Sequence, residues 1–358
     1  MVLMKTGVLL INLGSPDAPR PREVRRYLKQ FLSDPRVLDI PALARWLLLH
    51  LIILPFRPRR AAAAYAQVWM AEGSPLLVHS RALAQRVAAL LGESYAVEVA
   101  MRYGRPSFEQ ALNALVAKGC QSIVAVPLYP QYASSSTGTA LEELYRVAGK
   151  LWNTPVLQVI PPFFDDPGFI ASQAAVCKEA WGSAGAPEHV LFSFHGLPER
   201  HITKCDESLS HCLKTQDCCE RQGAELAWCY QAQCYRTAGL LAQTLKLGEG
   251  RWSVSFQSRL GRTPWIQPFT DVVIPQFVHK GVRSMAVVCP SFTADCLETL
   301  EEIGIRARKS FIEAGGKGFQ FIPCVNDHPR WAAVVSQWVK SNQRSEDRLK
   351  AFSEAGLP

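Results

Sequence analysis

No stretch of the 358-residue chain is apolar for long enough to cross a bilayer. The longest run, Trp46–Phe56, covers 11 residues and is broken by His50 and Pro55, where about 20 are required. A Gly-x-Gly-x-x-Gly turn is missing after the first strand pattern, where Asn12-Leu13-Gly14-Ser15-Pro16 stands instead, which argues against a dinucleotide-dependent oxidoreductase. The cations form no single stripe, so no nucleic-acid partner is expected. No secretory leader is read either: Thr6–Leu13 has strand character, and Gly14-Ser15-Pro16 follows it where a cleavage region would stand. A reducing, cytoplasmic setting is the expectation. Charge of one sign is in modest excess, with 39 Lys plus Arg against 31 Asp plus Glu, a net +8, which favours anionic partners without choosing among them. An apolar fraction of 48%, a charged fraction of 20% and a mean hydropathy of +0.01 exclude extensive disorder and a multi-span membrane protein.

What the chain does contain is a regular alternation of short Val/Ile/Leu-rich runs with helical patterns. This predicts parallel strands joined by crossover helices, hence an α/β fold. The strand candidates are Thr6–Leu13, Ala96–Arg102, Ser122–Pro127 and Pro155–Ile160, then Val190–His195, Trp252–Phe256, Ser284–Cys289 and Phe319–Pro323. They divide into two sets of four. The segment Lys118–Pro127 returns as Lys280–Val288 with Pro290 close behind, consistent with two similar doubly wound halves. Pro161, Pro162 and Pro167 break the periodicity between the sets. The expected domains are therefore 1–162 and 163–328, followed by a helix and tail at 329–358. That helix carries Trp331, Val334, Val335, Trp338 and Val339 on one stripe, suited to packing back on the first half.

A strand ending at His195 and followed by Gly196-Leu197-Pro198 sets an imidazole at the carboxyl edge of a parallel sheet, where open α/β folds bind ligands. A neutral imidazole there can ligate a metal or accept a proton, or simply satisfy a turn. Asp295, Glu298 and Glu302 follow another strand at spacings of three and four, which predicts one helical face. Such a row can gather a cation or pass protons, or be no more than a solvated acidic first turn. The loop Gln257–Trp265 brings cations and an indole to the same edge, a wall for a flat, acidic, largely apolar ligand unless Trp265 is core. All three features follow strands of one half, so one cleft can hold an imidazole facing an acidic ladder.

These motifs, with Met101-Arg102-Tyr103-Gly104 and Leu128-Tyr129-Pro130-Gln131-Tyr132, stand in an order that resembles the ferrochelatase family over most of the chain. The resemblance implies two Rossmann-like domains, chelatase-like, each with a mostly parallel sheet, enclosing a porphyrin cleft. It implies insertion of Fe2+ into protoporphyrin IX, the last step of haem synthesis; coproporphyrin III as substrate and a non-catalytic porphyrin or metal carrier are the alternatives. It places catalytic His195 and Glu298 on opposite sides of the macrocycle, with His195 as proton acceptor, metal ligand or both. Glu298, Glu302 and Asp295 fall on the iron or proton path. Leu13, Tyr103 and Trp265 would line the macrocycle, with Arg102 and Ser136 on the propionate side. Cys296 stands where many members of the family carry His, which leaves the local proton path open. The apolar run Trp46–Phe56, preceded by Arg45 and followed by Arg57, Arg59 and Arg60, would be a lip over the cleft with a peripheral, reversible attachment to a membrane.

Eleven cysteines are present, and six of them, Cys205, Cys212, Cys218, Cys219, Cys229 and Cys234, fall within residues 205–234. Against cluster-free members of the family this segment reads as an insertion. Cys212, Cys218, Cys219 and Cys229 lie wholly inside it, the number of thiolates a [2Fe–2S] cluster takes. Zinc is the rival, though paired Cys-x-x-Cys knuckles are missing, and uncoordinated or disulfide-linked thiols are a third outcome. Successive side chains point different ways, so Cys205 or Cys234 is a candidate to replace one of the adjacent pair Cys218 and Cys219.

Overall fold

All eight apolar runs form strands. The computed structural model describes residues 5–354 other than 216, 221–226, 260 and 262. The strands are β1 (Lys5–Ser15), β2 (Tyr95–Gly104), β3 (Cys120–Pro127), β4 (Val156–Val159), β5 (His189–His195), β6 (Trp252–Gln257), β7 (Ser284–Val288) and β8 (Gly318–Phe321). They build two parallel four-stranded sheets in the orders β2-β1-β3-β4 and β6-β5-β7-β8. In each, the chain moves to one side of its first strand and then returns to the other. This reversal opens a crevice at the carboxyl ends of β1 and β3, and of β5 and β7. The central strands β1, β3, β5 and β7 are buried on both faces over most of their length, so no alternation with polar residues is needed there, while the edge strands β4 and β8 are partly exposed. The repeated segment occupies equivalent places: β3 and β7 each follow a helix that ends in Lys-Gly, with Gly119 and Gly281 at φ 81° and 101°.

Strand period sorts the core into layers. In β1, Leu9 and Ile11 face an outer cluster with Phe108, Leu112 and Leu144. Val8 and Leu10 face the other way, into a cluster that also takes in Val190, Phe192 and Phe194 of β5. Leu191 points to a third cluster with Ile303 and Phe311. The two halves therefore share a central core. The helix Pro329–Glu354 closes it: Trp331 and Trp338 pack on Phe163 at centroid distances of 5.4 and 4.9 Å. The Trp338 indole also donates to Asp166 at 3.3 Å, the same carboxylate that caps the helix Pro167–Trp181.

Loops at the carboxyl ends of the sheets bind each other across the halves. Thr293 donates to the Leu128 carbonyl at 3.0 Å, and the Gln131 amide to Thr237 at 3.0 Å. Over this junction lie the helix Ala42–Leu47, a π-helical turn Leu48–Ile53 and the helix Leu54–Val68. Leu49 and Leu54 of this segment are buried with Tyr27, Tyr65 and Tyr103, while Leu43, Trp46, Leu51, Ile52 and Phe56 are exposed. Among the described residues no helix is long and apolar enough to cross a membrane.

Candidate active site

His195 is the last residue of β5, half-buried beside the crevice. Its Nδ1 lies 2.7 Å from the Gly196 carbonyl oxygen. A carbonyl only accepts, so Nδ1 carries the proton and Nε2 is left as the basic nitrogen. Gly196 is closely wrapped: a Cβ there would meet the Gln257 carbonyl at 2.8 Å and the Trp265 ring at 3.4 Å. Trp265 is thereby set against the histidine turn, and its segment is bridged to Pro198. Leu260 and Arg262 of the same loop lie outside the described residues.

The acidic segment is not the regular face its spacing predicts. Glu298–Ala307 is wound as a wide π helix, and Asp295 precedes it. The Asp295 carboxylate is buried and accepts from the Asn326 amide at 2.7 Å, from Thr299 at 3.1 Å and from the Cys324 N–H at 3.2 Å. The charges of Asp295 and Glu302 both bear on the buried Cys289 thiol. Glu302 accepts from the N–H and the hydroxyl of Ser258, which sits in the left-handed region at φ 68° to present both. Burial pushes the Glu302 carboxyl up, against the opposing pull of Ser258, Arg306 and His195. His195 and Glu302 are thus electrostatic neighbours. Glu298 faces the other half, where its charge bears on Tyr27, Tyr65 and Arg57, and it hydrogen-bonds the Cys296 thiol.

On the first-half wall, Leu13 at the end of β1 and Leu297 next to Glu298 pack against the same cluster. Tyr103 is 1% exposed, with its ring edge on Phe31 and its hydroxyl donating to Asp34 at 2.8 Å. A neighbouring Phe31 and a buried carboxylate satisfy both parts of that side chain. Arg102 donates to Asp34 at 2.7 Å and to the Thr139 hydroxyl at 2.7 Å. Ser136 lies in the turn Ser134–Gly138 just before Thr139. Sequence reading missed Asp34, Tyr27, Tyr65 and Ser258. Only Ser258 carried a signal, by its place at the carboxyl end of a strand.

In the insertion, the thiols of Cys212, Cys219 and Cys229 are drawn together by hydrogen bonds to Cys229, and the sulfurs of Cys218 and Cys219 are 3.9 Å apart. Donation from Cys219 is the largest influence pulling Cys229 down to about 6. The turn around Cys218 puts both adjacent thiols on one side. Cys234 is fully buried on the next helix, hydrogen-bonded to Tyr230. Among the described residues no disulfide is present, and no three His, Cys, Asp or Glu side chains are arranged to hold a single ion. Residues 216 and 221–226 of the insertion lie outside the described residues. A cavity of about 390 Å³ is lined by Cys205 and Trp228 at the insertion's edge and by Arg36 and Tyr132 of the first half, with Lys204 bonded to Asp39 at its rim at 2.7 Å.

The family model for ferrochelatase matches residues 5–343. The ferrochelatase of Coxiella burnetii (strain CbuK_Q154) is 46% identical to this chain over 338 residues, 94% of each protein. That of Pseudomonas fluorescens (strain Pf0-1) is 48% identical over 331 residues, 92% of this chain and 96% of the relative. Among solved structures, SirB from Bacillus subtilis with Fe3+ is similar at a TM-score of 0.50 and 13% identity, covering 94% of this chain and 95% of that one. That likeness is one of fold.

Proposed function

The chain belongs to the ferrochelatase family and inserts iron into a porphyrin in haem biosynthesis; within that activity we propose that its porphyrin is protoporphyrin IX, metallated between His195 and Glu298. Metallation requires Fe2+ to lose its water and the macrocycle to lose two pyrrole protons. The observation that carries the residue assignment is the His195 ring, whose Nδ1 is committed to the Gly196 carbonyl. Nε2 is then the base for a pyrrole proton, and Glu302, whose carboxyl burial pushes up, is the group beside it that passes protons on. Glu298, on the side of Tyr27 and Tyr65, meets the iron. Leu13 and Trp265 line the macrocycle, and Arg102 and Ser136 lie on the propionate side. Two carboxylates suit this wall better than the four of coproporphyrin III, because the Arg102 guanidinium is already paired with Asp34.

Cys212, Cys218, Cys219 and Cys229 are the residues that would hold a [2Fe–2S] cluster, which supplies a one-electron centre when bound. The exposed apolar side chains at Leu43–Phe56, bordered by Arg59 and Arg60, support a lip that meets a membrane surface reversibly. An anaerobic assay of Fe2+ with protoporphyrin IX and coproporphyrin III in parallel tests the substrate assignment: faster turnover of the tetracarboxylate overturns it. His195→Ala should lower kcat by about 10²- to 10⁴-fold with the fold retained; an undiminished rate removes His195 from the chemistry.

A further inference from the structure

The β5–β7 ladder ends at the pair Phe192 and Val288, three residues before His195. On that side the His195 backbone has no strand to bond, and two side chains take the strand's place. The His195 N–H donates to the Ser291 hydroxyl oxygen at 3.0 Å, and the Tyr230 hydroxyl donates to the His195 carbonyl at 2.8 Å. The two hydroxyls hold the backbone of one residue from the same side, one accepting from its N–H and the other donating to its carbonyl. Tyr230 is 6% exposed and is the first residue of the helix Tyr230–Thr244. Neither hydroxyl touches the imidazole.

We infer that Tyr230 and Ser291 are positioning residues of the known reaction, a clasp on the His195 peptide that fixes where Nε2 stands. The inference rests on the reading of His195 as the base. A ring that pivots about its own backbone shifts its far nitrogen by roughly the distance the peptide unit swings, and a misplacement of about 1 Å costs about 10²-fold in rate.

The test uses the full chain with Fe2+ and protoporphyrin IX under anaerobic conditions. Tyr230→Phe removes one oxygen and keeps the ring; it should lower kcat by about 10- to 100-fold while porphyrin KM stays within about twofold. Ser291→Ala should do the same, and Ser291→Thr, which restores the hydroxyl, should recover most of the rate. In the His195→Ala background, Tyr230→Phe should cost nothing further. Wild-type kcat in both Tyr230→Phe and Ser291→Ala, with His195→Ala inactive, overturns the clasp and spares the base. A full rate in His195→Ala overturns both. An equal loss from Tyr230→Phe with and without His195 shows that the phenol acts elsewhere and also overturns the clasp.

Discussion

At Asp34 a single carboxylate gathers Arg102 at 2.7 Å, the Tyr103 hydroxyl at 2.8 Å, the Thr139 hydroxyl at 2.5 Å and the Arg36 N–H at 2.7 Å. Burial raises its pKa, but the donors from Thr139, Arg36 and Tyr103 and the charge of Arg102 outweigh it, and the net shift is downward. Asp34→Asn should cost about 3 kcal/mol, because it leaves a buried guanidinium uncompensated; urea unfolding at neutral pH measures this. A depressed carboxyl adds stability above its ordinary value of 3.8 and loses it as pH falls through the lower folded value. The gap between wild type and variant should therefore shrink below that pH, and a constant gap would contradict the assignment. No sequence pattern could have exposed the Asp34 site, since its side-chain partners Arg102, Tyr103 and Thr139 lie 68, 69 and 105 positions away. His195 was legible for the opposite reason: a strand and the Gly-Leu-Pro that ends it are local. The burial of Tyr103 was not legible, because a tyrosine at a strand's end reads alike whether its ring faces a ligand or Phe31.

Elements were read well where burial on both faces simplifies the pattern, as it does for the central strands β1, β3, β5 and β7. The winding of one element was not legible: spacings of three and four describe an α helix, whereas Glu298–Ala307 is π-wound. The insertion has its own local organiser. Asp206 accepts from the Ser208 N–H and hydroxyl and from the N–H groups of His211 and Cys212, and the Ser208 hydroxyl is the largest influence holding it down to about 2. Asp206→Ala should free the Cys212 turn and lower the iron and sulfide recovered per chain, with the dithionite-bleachable absorption falling in step. For the lip, replacing Ile52 and Phe56, 59% and 76% exposed, with Ser should weaken binding to anionic vesicles by at least about tenfold. Cosedimentation that does not change would take these side chains off the membrane.

On the scale of the molecule, the central cluster draws on both sheets and on the terminal helix. Trp331→Ala, at a fully buried position, should cost about 3–5 kcal/mol. Because the damage falls on an interior common to both sheets, calorimetry should show one endotherm that moves as a whole, not a first half melting ahead of the second. The duplicated arrangement was legible in the paired segments at Lys118 and Lys280, but the fusion of the halves was not, since periodicity within a strand does not say which neighbour its inner face will meet.

The shared interior also limits how a guest comes and goes. Two bodies with separate cores can swing apart on a linker; these cannot do so without tearing Val8 and Leu10 from Phe192 and Phe194. A flat guest must then enter and leave without parting the sheets, past side chains such as Leu51, Ile52 and Phe56 that stand exposed on Ala42–Val68.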